Sequence, residues 1–465
     1  MSPTAPLSPP PVPRARWPLA HLVAFRRDPL AFLATLAREH GDVASVRMGR
    51  VRVVLVNHPD HIKDVLVTRH RLFVKGVGLQ RAKLLLGEGL LTSEGELHRR
   101  QRRLAQPAFH HQRVMGYGEV MAAKAEEVDR RWQAAVAHRS SGAPARLDVH
   151  AEMMRVALAV VGATLFGSDV EAEAGEIGAA LATSLEVFDK LSTTPFAELL
   201  ERLPVLPSVR RFRRARRLLD ATIHRMIRER RASGEDRGDL LSMLLLAQDP
   251  EAAAGGGMTD AQLRDEAMTI FLAGHETTAN ALTWTWYLLA RHPEVEARLH
   301  AELDTVLGAR GARGAVPADL ARLSYTRMVL AESMRLFPPA WVLGRQAVAD
   351  FEIGGHAVPR GSVVLMSQWL TQRDARWWPD PERFDPERWR EEAPGARPRF
   401  AYYPFGAGPR ICIGEQFAWM EATLVLATLA RRWRLRLAPD AQVALLPSIT
   451  LRPRFGMPML LEARG

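Results

Sequence analysis

A chain of 465 residues, 47% hydrophobic and 25% charged, has the balance of a globular protein and the length to bury a sizeable core. Its only cysteine, Cys412, excludes an internal disulfide and any multi-cysteine zinc or iron–sulfur site. The net charge is +11 and nearly every cation is arginine, which fits an acidic partner (nucleic acid, anionic lipid or an acidic electron-transfer protein) or solvated surface arginine from a compositionally biased genome.

Residues 1–20 form a proline-rich arm, with prolines at 3, 6, 9, 10, 11, 13 and 18 that forbid a helix. No charged start followed by an apolar core marks a signal peptide, and no apolar run reaches membrane-spanning length, so no membrane anchor is expected. Residues 28–40 read as a helix, and 43–48 with 51–57, β-branched and alternating, as a hairpin. A short helix is expected over 60–69 and a glycine-rich functional loop over 70–95. Helical patterns run from 96 to about 246, with breaks at 140–144 and 195–207; the apolar stretch 156–167 reads as a core helix. Residues 251–257 are a glycine-rich connection. Thr259 and Gln262 then open a long helix that reaches 290. His292-Pro293 restarts a helix to about 307, 308–314 is a loop, and 320–337 is a helix stopped by Pro338-Pro339. Residues 351–366 read as a hairpin with turns at Gly354-Gly355 and 359–361, and 415–430 as a helix.

The chemistry gathers around Cys412, within Phe405-Gly-Ala-Gly-Pro-Arg-Ile-Cys-Ile-Gly414. A lone thiol there is a buried hydrophobe, a nucleophile or the single thiolate on a heme iron. Glycines 406, 408 and 414 let backbone approach a flat cofactor, Phe405 offers an aromatic shield for sulfur, and Arg410 offers a cation for a carboxylate. A thiolate just ahead of a helix start is favoured by the helix dipole and its unpaired N–H groups. On the long helix Ala273 and Gly274 are small, Thr277 follows Ala273 by one turn, and Glu276 adds a carboxylate, a pair that can hold water and relay protons. His275-Glu276 is not a zinc helix, because the second histidine it needs at position 279 is Ala279. Glu332 and Arg335 stand at i and i+3 on one helix face, and His98 and Arg102 lie one turn apart in a basic stretch. No nucleic-acid-binding motif accompanies the arginine clusters at 98–103, 210–217 and 225–231.

The Cys412 loop resembles the heme-binding loop of the cytochromes P450, Phe-x-x-Gly-x-Arg-x-Cys-x-Gly, at every fixed position. Ala273-Gly-His-Glu-Thr-Thr278 resembles that family's acid–alcohol pair, and Glu332-Ser-Met-Arg335 its Glu-x-x-Arg. Pro386-Glu-Arg-Trp389 follows at the right distance, with Trp389 where Phe is usual. His98-Arg-Arg-Gln-Arg102 is similar to the family's Trp-x-x-x-Arg with His98 for Trp, and Arg345 stands where another propionate-binding arginine is found.

The resemblance implies a mainly α fold with a small β-rich region, one domain over 21–465, a long helix over the heme, and the soluble bacterial type in the cytoplasm. It implies heme b with Cys412 as the axial thiolate on iron, contacted by His98, Arg102, Ala273, Arg345, Phe405, Gly408, Arg410 and Gly414. Glu276 and Thr277 would deliver protons, and Glu332, Arg335 and Arg388 would form a buried structural network. The implied reaction inserts one oxygen atom from O2 into a small lipophilic molecule, a fatty acid or a terpenoid. Its pocket candidates are Leu90, Leu91, Phe188, Phe196, residues 271–273 and 340–343, and Ile449. Electrons would come from NAD(P)H through a separate ferredoxin or flavodoxin-type donor and its reductase, with no nucleic acid and no membrane anchor. Two other readings stand beside it: a peroxide-driven heme-thiolate enzyme, and a heme-based ligand sensor without turnover.

Overall fold

The computed structural model describes residues 8–13, 17, 19–137, 144–167, 176–181, 183–184, 187, 207–248, 256–308, 313–390 and 397–464. The chain divides into two compact units. The first joins Met1–Lys83, Arg335–Arg383 and Glu391–Cys412; the second joins Leu84–Met334, Phe384–Arg390 and Ile413–Gly465.

The first unit is built on a five-stranded sheet. Val43–Met48 and Val51–Val56 pair antiparallel, as their alternation predicts, around a turn that holds Gly49 at φ +63. Val363–Met366 lies parallel to Val51–Val56 and antiparallel to Leu343–Ala347, and Phe73–Lys75 closes the far edge. The hairpin expected over 351–366 therefore splits. Phe351–Ile353 and His356–Val358 pair with each other around Gly354 and Gly355, while Val363–Met366 joins the large sheet. The reason is burial: Val363, Val364 and Met366 are all covered, which suits a strand with neighbours on both sides. The helix Pro29–His40 is capped by the Asp28 carboxylate, and Pro59–Lys63 runs on into a π-turn at Asp64–Thr68. Among the arm's described residues, Pro10 is buried and the Pro11 carbonyl accepts from Ser45 N–H at 2.8 Å. Val54, Val56, Val364, Met366, Phe73 and Phe351 form a core that also takes in Phe400, Tyr403 and Ala407. Those last three belong to the segment leading to Cys412, so the loop is anchored in this core.

The second unit is mainly helical. Its long helix, Asp260–Arg291, opens with the expected capping box: Thr259 Oγ1 accepts from Gln262 N–H, and the Gln262 side-chain oxygen accepts from Thr259 N–H. It packs against Val149–Leu165, Pro207–Ser233 and Glu415–Ala430, and the last of these packs on His111–Ala137. Pro293 restarts the chain as Pro293–Leu307, and Ser324–Leu336 follows a 3-10 turn at Pro317–Arg322. A three-stranded sheet of Ala145–Asp148, Pro458–Ala463 and Trp433–Leu437 and a hairpin of Leu445–Pro447 with Leu451–Pro453 complete it. The strand at 145–148 has no signal in the sequence beyond the proline before it. The breaks expected at 140–144 and 195–207, the connection 251–257 and the loop 308–314 fall largely outside the described residues.

The 70–95 stretch is not the open loop its glycines suggest. It forms the strand Phe73–Lys75 and the short helices Val77–Arg81 and Lys83–Leu86. Beyond these the chain lies along the long helix, where Glu88 N–H donates to Asp265 and Leu90 N–H to Glu266. Gly89 makes that approach possible, since a Cβ there would sit 2.4 Å from the Asp265 carbonyl oxygen. The protein is thus mainly α with a small β-rich region, and among the described residues no helix is long and apolar enough to cross a membrane.

Candidate active site

In the first unit the Cys412 loop is held by its own backbone. Cys412 N–H donates to the Phe405 carbonyl at 2.9 Å, Gly406 N–H to Tyr403 at 2.9 Å and Ile411 N–H to Gly408 at 3.0 Å. Gly406 and Gly408 have φ of +70 and +69, where L side chains are strained. Gly408 carries a second constraint, because a Cβ would meet the Leu66 carbonyl oxygen at 2.0 Å. Upstream, Tyr403 N–H donates to the Gln372 side chain at 3.3 Å and the Trp378 indole donates to the Ala401 carbonyl at 3.3 Å. Two rigid glycines and a buried tyrosine therefore fix a loop that leaves Cys412 exposed. Cysteine is among the most buried residue types, so an exposed thiol in a fixed loop speaks against a purely structural role. Phe405 and Arg410 are half-buried, and Arg345 is buried. Arg410 donates to the Phe73 carbonyl at 3.2 Å and Arg345 to the Gly344 carbonyl at 2.9 Å; these carbonyls lie on the paired strands Phe73–Lys75 and Leu343–Ala347.

In the second unit the sequence-predicted residues lie on two helices and the start of a third. His98, buried, and Arg102, half-buried, are one turn apart on Gly95–Ala105, which Gln101 ties to the Glu88 carbonyl at 2.5 Å. Gly414 caps Glu415–Ala430 with a φ of −90, and a Cβ there would make only an ordinary 3.8 Å contact with Phe109. On Asp260–Arg291, Ala273 is the one exposed residue between positions 263 and 290. Thr277 is half-buried on the same stripe, and its hydroxyl donates to the Ala273 carbonyl at 2.7 Å.

Glu276 points elsewhere. It is buried and accepts from the Thr450 hydroxyl at 2.8 Å, with Arg452 Nη1 at 3.9 Å. Gly274, read as a small residue for a cofactor face, is needed for helix packing instead: a Cβ would lie 2.8 Å from Val161 Cγ2. His275 is buried and neutral, its pKa pushed down to about 4 by burial. No group of three metal-ligating side chains is found among the described residues. Glu332 accepts from Arg388 Nε at 2.9 Å, the Trp389 indole at 2.9 Å and Asp385 N–H at 3.1 Å. Arg335 sends its guanidinium to the carbonyls of Gln372, Pro381 and Arg383 in the first unit.

Several pocket candidates prove to be core. Leu90, Leu272 and Trp341 are buried, and so is Phe271, whose ring packs on Phe166 at 5.6 Å. Leu91, Ala340, Val342, Leu343 and Ile449 are half-buried, Leu343 against the first unit's core. Phe188 and Phe196 lie outside the described residues. Thr450 and Arg452 went unnoticed in the sequence, where nothing links them to Glu276.

The model of the family described as "Cytochrome P450" matches residues 10–456. The chain is 43% identical to "Cyclooctatin synthase" of Streptomyces melanosporofaciens, over 93% of this chain and 92% of that one. It is 41% identical to "Cyclooctat-9-en-7-ol 5-monooxygenase" of the same organism, over 90% and 88%. With "Pentalenene oxygenase" of Streptomyces avermitilis it shares 37% identity over 91% of each chain. Among solved structures, the heme domain of cytochrome P450DA superposes with a TM-score of 0.86 at 26% identity, covering 99% of this chain and 98% of that one.

Proposed function

The chain belongs to the cytochrome P450 family of heme-thiolate monooxygenases, and from that premise we propose that it inserts one oxygen atom from O2 into a terpenoid-like small molecule. Each turnover would consume substrate, O2, NAD(P)H and one proton from solution, and release hydroxylated product, water and NAD(P)+. We assign Cys412, the chain's only thiol, as the axial ligand. The donor chemistry fits: an exposed thiol stands in a glycine-fixed loop three residues ahead of the Glu415–Ala430 helix. Arg345, Arg410, His98 and Arg102 would be the cations and donors for the heme carboxylates. Phe405 would shield the sulfur, Ala273 and Gly414 would leave room for the macrocycle, and Gly408 lets the loop turn against the Leu66 backbone. When bound, the heme supplies the activation of O2 and the transfer of one of its atoms.

The chain's own side chains supply order and protons. The Thr277 hydroxyl donates to the Ala273 carbonyl, which leaves the oxygen's lone pairs to accept a hydrogen bond from a water. Glu276 is the acid–base group next along the helix. A ferredoxin or flavodoxin-type donor with its reductase is proposed to supply the electrons, drawn to a chain of net charge +11.

The Cys412 loop carries this reading. The test is the carbon monoxide difference spectrum of the reduced protein, followed by Soret titrations with cyclooctat-9-en-7-ol, pentalenene and a long-chain fatty acid. A strongly red-shifted band and a Soret shift with the terpenoids support it. A band at the histidine-heme position that Cys412→Ser leaves unchanged refutes the ligand assignment. A shift with the fatty acid alone refutes the substrate class.

A further inference from the structure

Three side chains at i, i+4 and i+8 on the long helix grip one short stretch of chain. Glu276 accepts from the Thr450 hydroxyl at 2.8 Å, Asn280 Nδ2 donates to the same oxygen at 3.0 Å, and the Trp284 indole donates to the Leu451 carbonyl at 2.9 Å. Behind Asn280 stands His150, on the neighbouring helix Val149–Leu165, with Nε2 3.1 Å from Asn280 Oδ1. Glu276, Asn280 and Thr450 are all buried.

The donors run in one direction. A carbonyl oxygen only accepts, so His150 must carry its proton on Nε2; burial keeps that imidazole below its ordinary pKa and hence neutral. Asn280 then spends an amide proton on Thr450, and Thr450 has one hydroxyl proton left to give, to Glu276. The strand edge is fixed independently by Trp284, and Arg452, two residues on, brings a guanidinium within 3.9 Å of the same carboxylate oxygen.

We propose that Thr450, backed by Asn280 and His150, is a positioning residue for proton delivery: it holds the buried Glu276 carboxylate in one place. This rests on the reading of Glu276 as the acid–base group. A hydroxyl just ahead of the strand Leu451–Pro453 suits that task, since it orients a carboxylate without neutralising it, and its own position is set from two sides.

The test compares Thr450→Val, Thr450→Ser and Glu276→Gln in the heme-loaded protein. The assay uses a plant-type ferredoxin, its NADPH reductase and cyclooctat-9-en-7-ol, and measures NADPH consumed, product and hydrogen peroxide. Thr450→Val keeps the volume and removes the hydroxyl. The expected result is product per NADPH lower by roughly 10-fold, part of the ~10²–10⁴ that a placed acid–base group supplies, with peroxide rising to match. Thr450→Ser restores coupling, which a merely structural role for the side chain's methyl group would not predict. Asn280→Leu, which removes Thr450's support, gives a smaller loss in the same direction.

A second measurement needs no substrate: melting temperatures of Thr450→Val, Glu276→Ala and the double variant. Non-additive losses support the contact; additive losses overturn the inference. Thr450→Val coupled like the parent while Glu276→Gln uncouples also overturns it and leaves the role of Glu276 standing. Glu276→Gln coupled like the parent overturns the reading on which both depend.

Discussion

Gly408→Ala is the sharpest single perturbation of the thiolate loop. Alanine at φ +69 carries a left-handed backbone penalty of about 1–2 kcal/mol. Its Cβ would also meet the Leu66 carbonyl oxygen at 2.0 Å and the Leu66 carbonyl carbon at 3.0 Å. Both are backbone atoms of the Asp64–Thr68 turn, which an Arg69 N–H to Asp64 bond closes, so neither can swing aside as a side-chain tip would. Ordinary contact requires a displacement of more than ~1 Å. Overpacking of that kind adds about 1–3 kcal/mol, for a total of ~2–5 kcal/mol against a typical stability of ~5–15 kcal/mol. Gly406→Ala is the internal control: its φ is +70, but its nearest neighbour is a Leu343 methyl at an ordinary 3.6 Å, so it bears the backbone penalty alone. The assay is thermal unfolding of both variants, with the fraction of heme in the red-shifted carbon monoxide form. Gly408→Ala should melt lower than Gly406→Ala by a few degrees and lose more of the thiolate form, because Cys412 hangs from Phe405 by its N–H. Equal melting points and equal spectra for the two variants would refute the reasoning.

Three further outcomes follow from the same geometry. Gly414→Ala should leave the melting point of the heme-free protein unchanged, since its φ of −90 and its 3.8 Å neighbour tolerate a methyl group; heme loading should fall, and full loading would remove Gly414 from the cofactor site. Thr277→Ala should keep heme and melting point but divert electrons to peroxide, and unchanged product per NADPH would count against its role. His275 makes stability depend on pH: its folded pKa of about 4 lies below the ordinary 6.5, so the unfolded chain binds its proton first and stability falls as pH drops below 6.5. At pH 5 this amounts to about 2 kcal/mol, so denaturant titrations at pH 7 and 5 should show a smaller drop for His275→Asn than for the parent.

What the sequence disclosed was local. The capping box at Thr259 and Gln262, the stop at Pro338-Pro339 and the hairpin around Gly49 each depend on residues a few positions apart, and each is found in place. The Cys412 loop was legible for the same reason: a ten-residue pattern encodes its turn, and the two positive φ values fall on glycines already marked. The rest was hidden by distance along the chain. Glu276 is 174 positions from Thr450, and Gly408 meets a backbone carbonyl at Leu66. Glycines 89 and 274 look like loop and cofactor glycines, yet each admits a neighbouring backbone or helix. A glycine's partner cannot be read from the glycine.

Three buried glutamates show the same limit from the side of chemistry. Glu332, with no exposed surface, faces a guanidinium, an indole N–H and a backbone N–H. Removing one of these donors would leave a buried polar oxygen without its partner. The indole also accounts for Trp389 in place of the usual phenylalanine, because it brings a donor that phenylalanine lacks. Glu421 lies fully buried beside Thr278, and burial holds its carboxyl well above the usual carboxylate range, Thr278 opposing; it is a neutral acid inside the helix pack. Glu276 stands between these extremes, held by one hydroxyl and a guanidinium at 3.9 Å. The three are the same letter in the sequence, each on a helix; only the donors that tertiary structure brings to each oxygen tell them apart.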